Sequence, residues 1–69
     1  MTKNMQKLNL YDNVKLMKDK DFICPKERVI KGSVGKIVDI CKKGDKTGYI
    51  VEINDNVYDF FGDEIELVN

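Results

Sequence analysis

The residues of this chain with the widest chemical reach are three carboxylates, Asp59, Asp63 and Glu64, close together near the C-terminal end. A pair of such groups can act as general acid and base when a cleft raises the pKa of one of them. A chain of 69 residues is too short to combine a stable core with a deep substrate cavity, so this acidic turn reads as solvated. Nucleophiles are equally unsupported. Ser33 is the single serine, Cys24 and Cys41 are the only cysteines, and there is no histidine to activate any of them. Without histidine or a CxxC pair, the cysteines lack the further ligands a metal needs. The glycines of Gly32-Ser33-Val34-Gly35 have neither the lysine nor the following helix of a phosphate-binding loop. Gly32 and Gly35 therefore read as structural. The expectation is a protein that is not an enzyme and uses no cofactor or metal.

What remains is binding. The run Val57-Tyr58-Asp59-Phe60-Phe61 followed by Gly62-Asp63-Glu64 reads as a strand and a turn. Tyr58, Phe60 and Phe61 cannot all point inward on a period of two, so at least one ring is expected outside, beside acids. An exposed ring flanked by charge is a hot spot for a protein partner. The candidate protein-binding set is Tyr58, Asp59, Phe60, Phe61, Asp63 and Glu64; the competing reading has a loop covering that face. That loop offers further contacts at Lys20, Phe22, Lys26 and Arg28. Nucleic acid is the weaker alternative. All 12 basic residues lie in residues 1–46 with six acids, while residues 47–69 hold the other six acids and no base, and the pI is about 6.2. A dedicated nucleic-acid binder is usually far more basic, and no aromatic is interleaved with the lysines. In an antiparallel fold the two halves interleave, and the charges then pair across strands.

The elements that must position these residues are short strands. Residues 1–9 carry no periodic pattern and read as a flexible N-terminal arm, with the folded unit over 10–69. Val14 and Leu16 alternate with polar neighbours in a first strand. Residues 18–32 read as a long loop whose patch Phe22-Ile23-Cys24-Pro25 folds back over the core. Pro25 drives Cys24 to an extended backbone, and Lys26 through Ile30 make a short turn. The stretch from Val34 to Cys41 is a bent strand with Val34, Val38 and Ile40 on one face and Ile37 on the other. Gly32 suits a positive φ there, and Gly35 a close backbone approach. Tyr49, Val51 and Ile53 point inward from the next strand, and Asn54-Asp55-Asn56 is a tight turn before residues 57–61. Residues 62–64 allow one 3₁₀ turn, and Ile65-Glu66-Leu67-Val68 closes the sheet.

Five such strands with a long first loop predict an all-β protein, a small SH3-like barrel. The succession Leu10-Tyr11-Asp12, Val14-Lys15-Leu16, Lys31 through Ile40, Tyr49 through Ile53, and Asp63 through Val68 resembles short stand-alone bacterial SH3-like domains of unknown function. It is also similar to KOW-type barrels and to the barrel of the nitrile hydratase β subunit. The resemblance covers roughly residues 10–68 and implies architecture, with no catalytic residue. The long loop at 18–30 departs from that pattern. The function expected is stoichiometric binding of a protein, in an inhibitor or immunity-type role against a toxin, nuclease or defence enzyme. The alternatives are a KOW-like nucleic-acid accessory and an accessory subunit of a larger enzyme. Two reduced thiols, no apolar leader and no membrane-length apolar run place the expected protein in the cytoplasm, with its oligomeric state open.

Overall fold

The computed structural model describes residues 7–23 and 26–68. Seven strands and one 3₁₀ turn follow one another: β1 Asn13–Leu16, β2 Lys20–Ile23, β3 Lys26–Val29, β4 Val34–Lys43, β5 Lys46–Ile53, β6 Asn56–Phe61, η1 Gly62–Glu64 and β7 Ile65–Leu67. The five-stranded sheet has the antiparallel order β6-β5-β4-β1-β7, and β2 and β3 pair separately as a hairpin. The sheet is open, with β6 and β7 at its edges, where a closed barrel was expected. No described helix is long and apolar enough to cross a membrane.

Alternation explains the core. Val14 and Leu16 of β1, Val51 and Ile53 of β5, and Tyr58 and Phe60 of β6 are buried, while the alternate residues of each strand face outward. The positive φ of Asn54 and Asp55 matches the two-residue turn between β5 and β6. The turn between β4 and β5 places Gly44 at φ +68°. At the start of β4, Gly32 has φ +94°. Gly35 faces β5 so closely that an added Cβ would strike the Glu52 carbonyl oxygen and lie 2.6 Å from Ile53 Cγ1. Both glycines thus serve as expected, one for conformation and one for space.

Three expectations require correction. The first concerns β4. The pairing shifts between Ile37 and Asp39, leaving Val38 as a bulge. The extra residue brings Ile37 opposite Val51 and Ile40 opposite Tyr49, so Ile37 and Ile40 share the inner face despite an odd spacing. Ile37 is fully buried, whereas Val34 is exposed and Ile40 sits at the rim.

The second concerns the long loop, which contains the β2–β3 hairpin. Lys26 through Val29 form a strand rather than a turn, in register Lys20↔Val29, Asp21↔Arg28, Phe22↔Glu27 and Ile23↔Lys26. Among the described residues of this hairpin only Phe22 and Val29 reach the core, and Ile23 is 92% exposed. The expected conformations of Cys24 and Pro25 lie outside the described residues. The third is at the N-terminal end, where Leu8 joins the core cluster instead of belonging to a free arm. The rest of the expected arm, residues 1–6, also lies outside the described residues.

Candidate functional site

Sheet parity divides the aromatic return of β6. Tyr58 and Phe60 point into the core, and Phe22 from the hairpin packs on both, at ring-centroid distances of 4.9 and 5.6 Å. Phe61 is the ring left at the surface, half-buried. Its cross-strand neighbour is Gly48, which has no side chain to cover it. The Lys43 chain fills the space over Gly48 and ends in an ion pair with Asp59. That contact raises the pKa of Lys43 through its hydrogen bond to the Asp59 carboxylate.

Beside Phe61 lies a shallow cleft of about 250 Å³, lined by Lys46, Thr47, Tyr49, Phe61, Gly62 and Asp63. Tyr49 forms one wall, and a Cβ added at Gly62 would lie in ordinary van der Waals contact with its ring, at 3.5 Å. Lys46 Nζ stands 5.1 Å from the Phe61 centroid, within cation–π range. The cleft thus has two aromatic rings, a base on one flank and an acid on the other.

Below it, Glu64 is 9% exposed and fixed by a clasp. Its Oε1 accepts from Lys20 Nζ at 2.8 Å and from the Phe61 backbone N–H at 2.8 Å. The same ammonium donates to the Asp59 carbonyl at 3.0 Å and lies 5.3 Å from the Phe60 ring centroid. Burial by itself raises the Glu64 pKa, but the Lys20 hydrogen bond, the Phe61 N–H and the charges of Lys20 and Lys18 outweigh it. The carboxyl is held below its ordinary range. On the other strand of the hairpin, the Tyr58 hydroxyl donates to Glu27 Oε1 at 2.8 Å, and this bond raises the pKa of the phenol.

The structure therefore splits the sequence candidates. Phe61 and Asp63 meet at the cleft, and Asp59 stands beside them paired with Lys43. Tyr58 and Phe60 are core, and Glu64 is the acceptor of the clasp. Of the loop contacts, Lys20 and Phe22 attach the hairpin to β6, and Lys26 is exposed. Arg28 pairs with Asp21 directly across the hairpin, which lowers the Asp21 pKa.

Lys46, Thr47 and Tyr49 are cleft residues that sequence reasoning missed. The signal for them was the glycine opposite Phe61, visible only once the β5–β6 register is set. Three of the four ion pairs among the described residues join a base from the first 46 residues to an acid from the last 23: Lys15–Glu66, Lys20–Glu64 and Lys43–Asp59. The uneven charge of the sequence is thus largely interleaved by folding. No group of three or more potential metal ligands occurs among the described residues. Neither a family model nor a curated protein or solved structure matches the chain.

Proposed function

We propose that this chain is a stoichiometric, non-enzymatic protein-binding module of SH3-like fold whose partner anchors at the Phe61–Tyr49 cleft. The fold assignment is supported by the order of elements: a strand, a hairpin excursion, a three-stranded meander, a 3₁₀ turn and a last strand returning to β1. One observation carries the functional reading. Phe61 is the one ring of β6 left at the surface, in a cleft whose surrounding charges balance. Lys20, Lys43 and Lys46 are matched by Asp59, Asp63 and Glu64, so no net field favours a polyanion. A half-buried ring rimmed by both signs of charge has the make-up of a protein hot spot.

An inhibitor or immunity-type role in the cytoplasm is the form of binding we favour for so small a domain. A nucleic-acid reading gains one point in space that it lacked in sequence, because Lys20 and Lys46 both stand within cation–π range of Phe61. Affinity capture with the unaltered chain and with Phe61→Ser tests both readings, followed by calorimetry on the purified partner. A protein partner should bind about 30-fold or more weakly to the folded variant, as for a hot-spot residue worth about 2 kcal/mol. Equal binding to both chains rejects the cleft as the anchor. Retention on nucleic acid that falls steeply with salt would favour the alternative.

A further inference from the structure

Strand β6 is an edge of the open sheet, and edges invite pairing with further strands. The β5–β6 turn spans Asn54 and Asp55, so Ile53↔Asn56, Val51↔Tyr58 and Tyr49↔Phe60 are the pairs that exchange backbone hydrogen bonds. The alternate residues, Val57, Asp59 and Phe61, turn their backbone N–H and C=O groups away from β5. Two of these outward groups are met by side chains. Lys20 Nζ donates to the Asp59 carbonyl, and Glu64 Oε1 accepts from the Phe61 N–H. Lys20 and Glu64 also bind each other. An ammonium and a carboxylate thus stand where the donor and acceptor of a sixth strand would lie. Val57, at the far end of the same edge, is 57% exposed.

We propose that the outer edge of β6, from Val57 to Phe61, is a strand-addition site for an extended segment of a partner protein carrying a lysine or arginine. In the free chain the Lys20–Glu64 clasp occupies it. The chemistry of the occupant follows from charge complementarity. Glu64 and the Asp59 carbonyl already hold one ammonium, and an incoming base replaces it while the partner backbone bonds to Val57 and to the Asp59 N–H, the Phe61 N–H staying with Glu64. Pairing of β6 with a second copy of itself about Asp59 would set that carboxylate against its own counterpart, which is unfavourable. The edge and the cleft meet at Phe61 but use different parts of it, the backbone for the edge and the ring for the cleft.

The probe is a fluorescent seven-residue peptide of alternating threonine and valine with a central lysine, beside a control with glutamate in that place. Anisotropy is read against the unaltered chain, against Lys20→Met, which keeps the aliphatic stem over Phe60, and against Lys20→Met combined with Val57→Pro. Circular dichroism first establishes that each is folded. The lysine peptide should bind Lys20→Met about tenfold more tightly than the unaltered chain, because the competing ammonium is gone. The glutamate peptide should bind neither, and Val57→Pro should abolish binding by removing an outward N–H. Equal affinity for the two proteins or for the two peptides overturns the assignment. So does a Lys20→Met dimer that the lysine peptide does not dissociate, which would assign the edge to a second copy. Should Lys20→Met not fold, backbone amide shifts of the unaltered chain under millimolar lysine peptide decide. Changes centred on Val57, Asp59 and Phe61 support the site, and their absence overturns it.

Discussion

The strands of the β2–β3 hairpin are far more densely charged than those of the five-stranded sheet, and the two units are held in place by different means. The sheet is continuous in hydrogen bonding from β6 to β7 and buries one face, with Phe60, Leu16, Ile37, Val14 and Val51 almost wholly enclosed. The hairpin shares no ladder with the sheet. It is attached by Val29 and the Phe22 ring, by the Lys20 bonds to Glu64 and Asp59, and by Glu27 to the Tyr58 hydroxyl. An element attached mainly by side chains can open while the sheet persists, so the hairpin belongs to the low-stability end of the molecule. It also covers the core beside the very edge to which we assign strand addition.

The sharpest way to break the sheet without touching the hairpin is Gly35→Ala. The new methyl would meet the Glu52 carbonyl and lie 2.6 Å from Ile53 Cγ1 and 2.8 Å from Val51 Cγ1. Relief requires β4 and β5 to separate. The expected cost is at least about 3 kcal/mol, at the upper end for overpacking. That is a large share of the roughly 3–10 kcal/mol available to a chain of this length. Gly32→Ala, at the base of the hairpin, meets open space and suffers only from its φ of +94°, so it should cost about 1–2 kcal/mol. Urea denaturation of the two variants checks the order. Equal losses would mean that β5 does not confine Gly35.

A pair of phenylalanines sharpens the contrast. Phe60 is 1% exposed at the centre of the sheet, and Phe60→Ala should cost about 3–5 kcal/mol and weaken all strands together. Phe22 lies half-buried on top of it, with its ring edge-on to Phe60. Phe22→Ala should cost about 1–2 kcal/mol in lost burial. Its effect should be confined to the hairpin. In hydrogen exchange, the β2 and β3 amides should lose protection while those of β4 and β5 keep theirs. Uniform loss throughout the chain would show that hairpin and sheet unfold as one unit.

The same contrast decided what could be read from the sequence. Strands β5 and β6 were legible because their inward positions, Tyr49, Val51 and Ile53, then Tyr58 and Phe60, are all apolar and are separated by the turn residues Asn54 and Asp55. The inward positions of the hairpin are Lys20, Phe22, Glu27 and Val29. Half of them are charged, so no apolar period marks either strand. Lys20 is accommodated there by Glu64, remote in sequence, while Glu27 stays exposed and accepts from the Tyr58 hydroxyl. The Val38 bulge was hidden for a related reason, since one inserted residue inverts the parity on which face assignment rests. At the candidate site the exposed ring was foreseen, but not which ring. Its neighbours Lys46, Thr47 and Tyr49 come from another strand and are defined only by register.

The clasp itself has a pH signature. Glu64 is depressed from its ordinary value of 4.5 because the ionised carboxylate is favoured by Lys20 and by the Phe61 N–H despite burial. A carboxyl whose folded pKa lies below its unfolded one adds stability that is complete above the unfolded value. That contribution is lost as pH falls through the folded value. Glu64→Gln keeps the shape and one acceptor but has no charge to lose, so it should cost about 2 kcal/mol at neutral pH, as expected for a hydrogen bond to a charged partner. As pH falls through the depressed folded value the unaltered protein acquires a neutral carboxyl, and the two stability curves should converge. The exchange of β2 and β3 amides should rise in the variant at neutral pH, and in the unaltered chain only in acid. A gap between the curves that stays constant down to strong acid would mean that Glu64 serves by packing alone. The hairpin would then be held by its two apolar contacts, the Lys20 bond to the Asp59 carbonyl and the Glu27–Tyr58 bond.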